Sequence, residues 1–278
     1  MKNWRFAFSR RYVGYLAMAI VFAIGCWFLS QWQFARLEEA RVEVHRLSAN
    51  YSESPVPLAS VLPTTDSFDS DDKWTPVEMT GTYLVDDQVL VRNRPYGGNP
   101  GFEVLTPLQL PDASIFIVDR GWVPSGDEQD YPDSIPAAPS GEVTVVARLK
   151  PGEPTLAGRS APEGQIATIQ LDDLATRIGG SVYTGAYGLM ATETPSPATR
   201  PLAAAEPELD EGPHLSYALQ WLLFALFGFG GLAYALRTEF RIRNADDPDE
   251  QVRAEKRRVK DAKRARTDAE IEDQLLDA

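Results

Sequence analysis

One cysteine, Cys26, serves the whole chain, which excludes intramolecular disulfides, cysteine zinc clusters and cysteine-held iron–sulfur centres within one molecule. Histidine is nearly as scarce, with His45 and His214 alone. No GxSxG, HExxH or phosphate-binding glycine loop occurs, so the common hydrolase, metalloprotease and nucleotide-binding signatures are missing. Charge is missing locally as well. Tyr12 to Ala35 and Gly212 to Leu236 contain no Asp, Glu, Lys or Arg, and each run holds the roughly 20 apolar residues that cross a bilayer core. The mean hydropathy of −0.26 therefore averages two unlike kinds of sequence.

What is present is acidic. The 278 residues carry 40 acids against 27 bases, a formal charge of −13. Lys2, Arg5, Arg10 and Arg11 precede the first apolar run, and Arg237, Arg241 and Arg243 follow the second. By the positive-inside rule both ends are expected in the cytoplasm. The expected layout is a cytoplasmic N-terminus (1–11), a first span (12–30), an extracytoplasmic domain (31–212), a second span (213–236) and a charged cytoplasmic tail (237–278), all in the cell (plasma) membrane. The exported stretch holds 12 basic and 28 acidic residues. Such a surface repels nucleic acid and anionic headgroups. Its plain reading is solvation of an exported domain, with attraction of a basic partner as the alternative. The spans themselves are expected to meet membrane lipid.

The first run is longer than a signal-peptide core and continues into Trp27, Phe28, Trp32 and Phe34, where a cleavage site would need small residues. A retained anchor is expected. Ala23-Ile24-Gly25-Cys26 faintly resembles a lipoprotein cleavage box, but an apolar Trp27-Phe28 follows in place of a polar tether, which favours Cys26 as a small packed side chain.

Between the spans, Gln33 to Leu47 is able to prolong the first helix, with Arg36, Glu39 and Glu43 at ion-pair spacing. Asn50 to Asp72, rich in Ser, Pro, Thr and Asp, reads as a surface linker. Strand character follows at Val77–Tyr83, Gln88–Arg92, Phe102–Leu108, Ser114–Val118, Glu142–Leu149, Gln165–Ile169 and Ser181–Met190, separated by turn residues. Leu171, Leu174 and Ile178 predict a short helix over 171–178. Asp127-Glu128-Gln129-Asp130 reads as a solvated loop. The expected fold class is an α+β membrane protein, two transmembrane helices flanking an extracytoplasmic, mostly antiparallel β domain with a short helix.

The second span opens Gly212-Pro213-His214, with proline suited to a first helical turn. Tyr217 and Trp221 fit an outer aromatic belt, and Gly228, Gly230, Gly231 and Ala235 would let another helix approach. From Asp246 onward the tail is nearly all charged, so a solvated helix or a disordered segment is expected. Its basic block, 256–266, is separated from the span by Asp246, Asp247, Asp249 and Glu250, which works against contact with anionic lipid. Catalytic machinery is thin, and the chain is not expected to be an enzyme. Arg92 and Arg94, with Arg120, form a suggestive set because guanidinium groups recognise carboxylates. The plain alternative is internal pairing with Glu103 or Asp119.

Seven short motifs now fall in order. They are Trp32-Gln33 with Arg36, Gly81-x-Tyr83, Val91-Arg92-Asn93-Arg94-Pro95, Gly101-Phe102-x-Val104-x-Thr106-Pro107-Leu108, Val118-Asp119-Arg120-Gly121-Trp122-Val123-Pro124, Gly141-Glu142-Val143 and His214-Leu215-x-Tyr217-x-x-x-Trp221. Over about residues 15–236 the chain resembles the Surfeit locus protein 1 family. That resemblance implies an assembly factor, a chaperone of the respiratory chain, acting on cytochrome c oxidase subunits and above all on the haem-bearing catalytic subunit. It further implies transient binding of haem a. A scaffold or accessory subunit that never touches haem is the alternative. On the haem reading His214 is the iron ligand, Tyr217 and Trp221 flank it, and Arg92, Arg94 and Arg120 meet propionates or oxidase carboxylates. Imidazole coordinates as the neutral ring, and a helix N-terminus disfavours the cation. Against this stands His214 as an interfacial polar residue at a helix start.

Overall fold

The computed structural model describes residues 4–127, 131–156 and 158–262. Of the acidic turn at 127–130, residues 128–130 lie outside the described residues, as does the basic block beyond residue 262. The chain divides into two units, one made of residues 1–38 and 212–278, the other of residues 39–211.

In the first unit, α1 (Arg10–Asn50) enters from residue 10 and α4 (His214–Arg243) runs antiparallel to it. Gln33 meets His214, Phe22 lies against Gly228, and Phe6 and Tyr12 cluster with Phe240. Both helices are long and apolar enough to cross a membrane. The glycines divide in use: a Cβ at Gly228 would come within 3.2 Å of the Phe22 ring, whereas positions 230 and 231 have open space beside them. A third helix, α5 (Pro248–Ala262), forms where the sequence left helix and disorder open. Asp247 starts it by accepting the Asp249 N–H at 2.9 Å, and Pro248 occupies its first position.

In the second unit the strands are β1 (Val56–Pro57), β2 (Pro76–Tyr83), β3 (Val89–Val91), β4 (Gly101–Gln109), β5 (Ser114–Pro124), β6 (Glu142–Pro151), β7 (Gln165–Ile166), β8 (Ser181–Val182) and β9 (Ala186–Thr194). They follow the order β1-β2-β6-β9-β5-β4-β3-β7, with β8 beside β5. A further pairing of Thr82 with Gln109 and Tyr83 with Leu108 joins β2 to β4 and closes the path into a five-stranded ring. The long pairings β2–β6, β4–β5 and β6–β9 are antiparallel.

β5 is buried from Ser114 to Val123, and its alternate residues serve two cores. Phe116 and Val118 join Val77, Val145 and Leu149, while Ile115 and Ile117 join Val89, Leu105 and Leu174. α3 (Leu171–Ile178) closes the second core with Leu171 and Leu174. It starts where the Gln170 side chain accepts the Asp173 N–H and ends at Gly179, φ +76°.

Four expectations need correction. β5 runs on to Pro124 because a bulge opposite Glu103–Leu105 absorbs the turn-like Asp-Arg-Gly, with Gly121 at φ +122°. The segment from Ser181 to Met190 is two strands, broken where Thr184 and Gly185 both donate to Thr65 O. Pairing after Ile166 stops because the Ile169 N–H turns to the Glu153 side chain. The linker at 50–72 is not all surface: the helical turn α2 (Leu58–Val61) drives Leu58 into the first core beside Leu62, which is fully buried.

Candidate functional site

The helix continuation reaches Asn50, but Glu43 does not pair along it; its carboxylate takes Lys73 Nζ at 2.6 Å and Trp74 Nε1 at 2.9 Å. Burial resists its ionisation, and those two donors outweigh burial to hold it below the usual carboxylate range. Arg36 lies over the Trp32 ring, 5.9 Å from its centre.

Arg120 and Arg94 hold named partners within the domain. Arg120 has no exposed surface. It bonds Glu193 at 3.1 Å, donates to the carbonyls of Pro136 and Ala137, and lies over Tyr83. Asp119 and Arg120 are consecutive on the strand and point to opposite faces, so Arg120 pairs with Glu193. Gly121 permits the chain to pass close by: a side chain there would strike Leu202, whose backbone exchanges two hydrogen bonds with Trp122. Arg94 pairs with Glu103 at 3.0 Å, as the plain alternative held, and also with Glu153. Its carbonyl accepts the Trp122 indole N–H at 2.7 Å. Arg92 is half-buried on the wall of a polar cavity of about 450 Å³ with Asn93, Phe102 and Ser125.

The other face of β5 presents Asp119, almost fully buried and accepting the Gly121 N–H at 2.9 Å. Burial, reinforced by the neighbouring charge of Glu103, lifts its carboxyl well above the usual range, and burial lifts Glu103 too. Glu153 goes the other way, because the Arg94 and Ile169 donors overcome its burial. An acid with a raised folded value stabilises the fold while protonated. That contribution is complete below its unfolded value and disappears as pH rises through the folded one. Asp119→Asn, which keeps an acceptor for Gly121, is therefore expected to match the wild-type melting temperature in acid and to exceed it increasingly toward pH 8. A difference in Tm that stays flat with pH would refute the suppressed charge.

His214 opens α4 and stands apart from these pairs. Its Nδ1 lies 2.9 Å from Gln33 Oε1 across the helix pair. Because an amide oxygen only accepts, Nδ1 is the donor in this arrangement, and in the neutral ring Nε2 is then the nitrogen with the lone pair. Gly212, at φ +70°, lies beside that edge: a Cβ there would come within 3.4 Å of Nε2. The positive φ favours glycine here, and a Cβ would rest in van der Waals contact with the ring edge. Ser30, one turn before Gln33, is fully buried, and its Oγ has no hydrogen-bond partner among the described residues.

The residues that follow His214 on α4 point in different directions. Ala218 is fully buried and Tyr217 is 47% exposed, so the two do not share one face. Trp221 is half-buried and meets Phe224 edge-on at 5.7 Å. Gln33, which the sequence placed only within a motif, is the contact to His214 that the structure adds.

Comparison with known proteins agrees with the order of the motifs. The SURF1 family matches residues 20–226. SURF1-like proteins of Mycobacterium bovis and Mycobacterium tuberculosis are each 34% identical over 250 residues, covering 87% of this chain and 90% of theirs. With its two membrane-length helices and β-rich domain, the chain belongs to the SURF1 family, a family of assembly factors associated with cytochrome oxidase.

Proposed function

We propose that the protein assists assembly of haem-copper cytochrome c oxidase by holding haem a transiently at the outer end of the second span and passing it to the haem-bearing catalytic subunit. The observation that carries this reading is His214 with Nδ1 engaged by Gln33 and Nε2 facing the space that Gly212 leaves. A ligating histidine is commonly fixed by a partner on its other nitrogen, which sets both tautomer and ring direction. Haem a is cargo here, and its iron would accept Nε2. Gln33 orients the ring, Gly212 keeps the approach open, and Trp221 and Tyr217 supply flat apolar surface nearby. Arg92, on its cavity wall, is the arginine we assign to an oxidase carboxylate.

The full chain purified from cells that make haem a should carry a haem a absorption band. Absence of the band, while oxidase assembly still depends on the protein, would favour the scaffold reading. A deletion strain should lose active cytochrome c oxidase and keep its other respiratory complexes.

The orientation has its own measurement. In a Cys26→Ser background, an impermeant thiol reagent added to intact cells should label a cysteine placed at Ser134 and leave one placed at Ala254 untouched. The reversed pattern would put the His214 end in the cytoplasm and reject delivery of haem from the outer side.

A further inference from the structure

We propose that the end of α4 carries a binding site for one anionic phospholipid headgroup, held by Arg237 and Arg241 of α4 with Arg253 and Arg257 of α5. The inference rests on α4 being a membrane span. A cavity of about 540 Å³ opens between these arginines. Its one carboxylate, Glu250, is taken by Arg257 at 2.9 Å and Arg253 at 3.6 Å. Among the described residues neither Arg237 nor Arg241 has a carboxylate within ion-pair distance, whereas the neighbouring Arg243 pairs with Glu239 at 2.6 Å. Four guanidinium groups thus face one acid.

The acids that separate the basic block from the span in sequence do not separate these arginines from it in space. Asp247 is spent on starting α5, and Glu250 is shared by Arg253 and Arg257. Arg253 and Arg257 follow one and two helical turns after Asp249, where the cavity places them beside the end of α4.

The rest of the lining selects a lipid over a free anion. Ala233, Leu236 and Phe240 form an apolar side at the depth where the uncharged run of α4 ends, and Trp4 stacks on Phe240 with ring centres 4.4 Å apart. Tryptophan favours the headgroup level of a bilayer. A ligand that satisfies both sides carries a phosphate on acyl chains, and basic pockets beside membrane helices hold such headgroups.

The test uses the full-length protein, first shown to resist alkaline extraction from membranes. Release by alkali would overturn the span and this site together. Native mass spectrometry then follows retention of phosphatidylglycerol against phosphatidylcholine from mixed detergent micelles. One phosphatidylglycerol is expected to be retained preferentially. The charge-neutral pair Arg237→Gln with Arg241→Gln should lower that retention about tenfold or more, with helix content unchanged by circular dichroism. Arg243→Gln, already paired outside the cavity, should behave as wild type. Equal retention of the two lipids, or undiminished retention in the double variant, would overturn the proposal. So would displacement of the lipid by millimolar inorganic phosphate, which would mark a site for a soluble anion. His214→Ala is expected to leave lipid retention intact, so failure of the haem reading and failure of this one are separable.

Discussion

Glu193→Ala is expected to destabilise the β domain strongly while leaving it folded at low temperature. Arg120 and Glu193 are both without exposed side-chain surface, 3.1 Å apart. Removing the carboxylate leaves a guanidinium buried with two backbone carbonyls and no counter-charge. Breaking such a pair costs about 3–5 kcal/mol, a large share of the roughly 5–15 kcal/mol that holds a domain together. For a domain of this size the melting temperature should fall by roughly 10 °C. Arg120→Met with Glu193→Leu, which removes both charges and keeps bulk, should recover most of the loss. Melting of the purified full-length variants decides it: a single variant as stable as wild type would mean that the guanidinium reaches water. The same result bears on function, because lost oxidase activity in an Arg120 variant would report unfolding before it reported any contact with haem.

His214→Ala is the second large effect. With membrane insertion and protein level verified, haem a in the purified protein should fall to background and oxidase activity should follow. Gln33→Leu is expected to weaken haem retention by about 10–100-fold without abolishing it, as partners of metal-ligating imidazoles commonly do. A measurement that needs no haem accompanies it: ¹⁵N shifts of the labelled His214 ring should report a proton on Nδ1 in the wild type and a mixture of tautomers in Gln33→Leu. Gly212→Ala should reduce haem retention too, by narrowing the space at Nε2. If His214→Ala keeps full haem a and supports full oxidase activity, the ligand lies elsewhere and the scaffold reading takes its place.

The parts of the fold that could be read in the sequence are those where burial repeats at a fixed interval. β6 alternates exposed and buried residues from Glu142 to Leu149, and α3 repeats Leu171, Leu174 and Ile178, so a two-residue or three-to-four-residue period located both. Where the interval breaks, the reading broke with it. Asp119-Arg120-Gly121 looks like a turn because its residue types are polar and small, yet it is the buried middle of β5, stabilised by partners from four other places in the chain. Glu193, 73 residues beyond Arg120, is not suggested by any local spacing. The partner of His214 was hidden for the same reason. Gln33 lies 181 residues earlier, and only the antiparallel course of two helices brings an amide oxygen to the ring. A signal did exist, since Trp32-Gln33 near the end of the first uncharged run and His214 near the start of the second occupy matching positions.

The closure of β2 on β4 bears on how such a protein survives beside its client. An assembly factor works next to subunits whose own surfaces are unfinished, and an open sheet in that company would offer its backbone as a template for the wrong strand. Here the five longest strands spend their hydrogen bonds within a ring, and the path ends on β1 and β7, each two residues long. A domain built this way can meet a partially folded neighbour repeatedly and part from it, because recognition is left to side chains and little free backbone remains to turn a brief encounter into a permanent one.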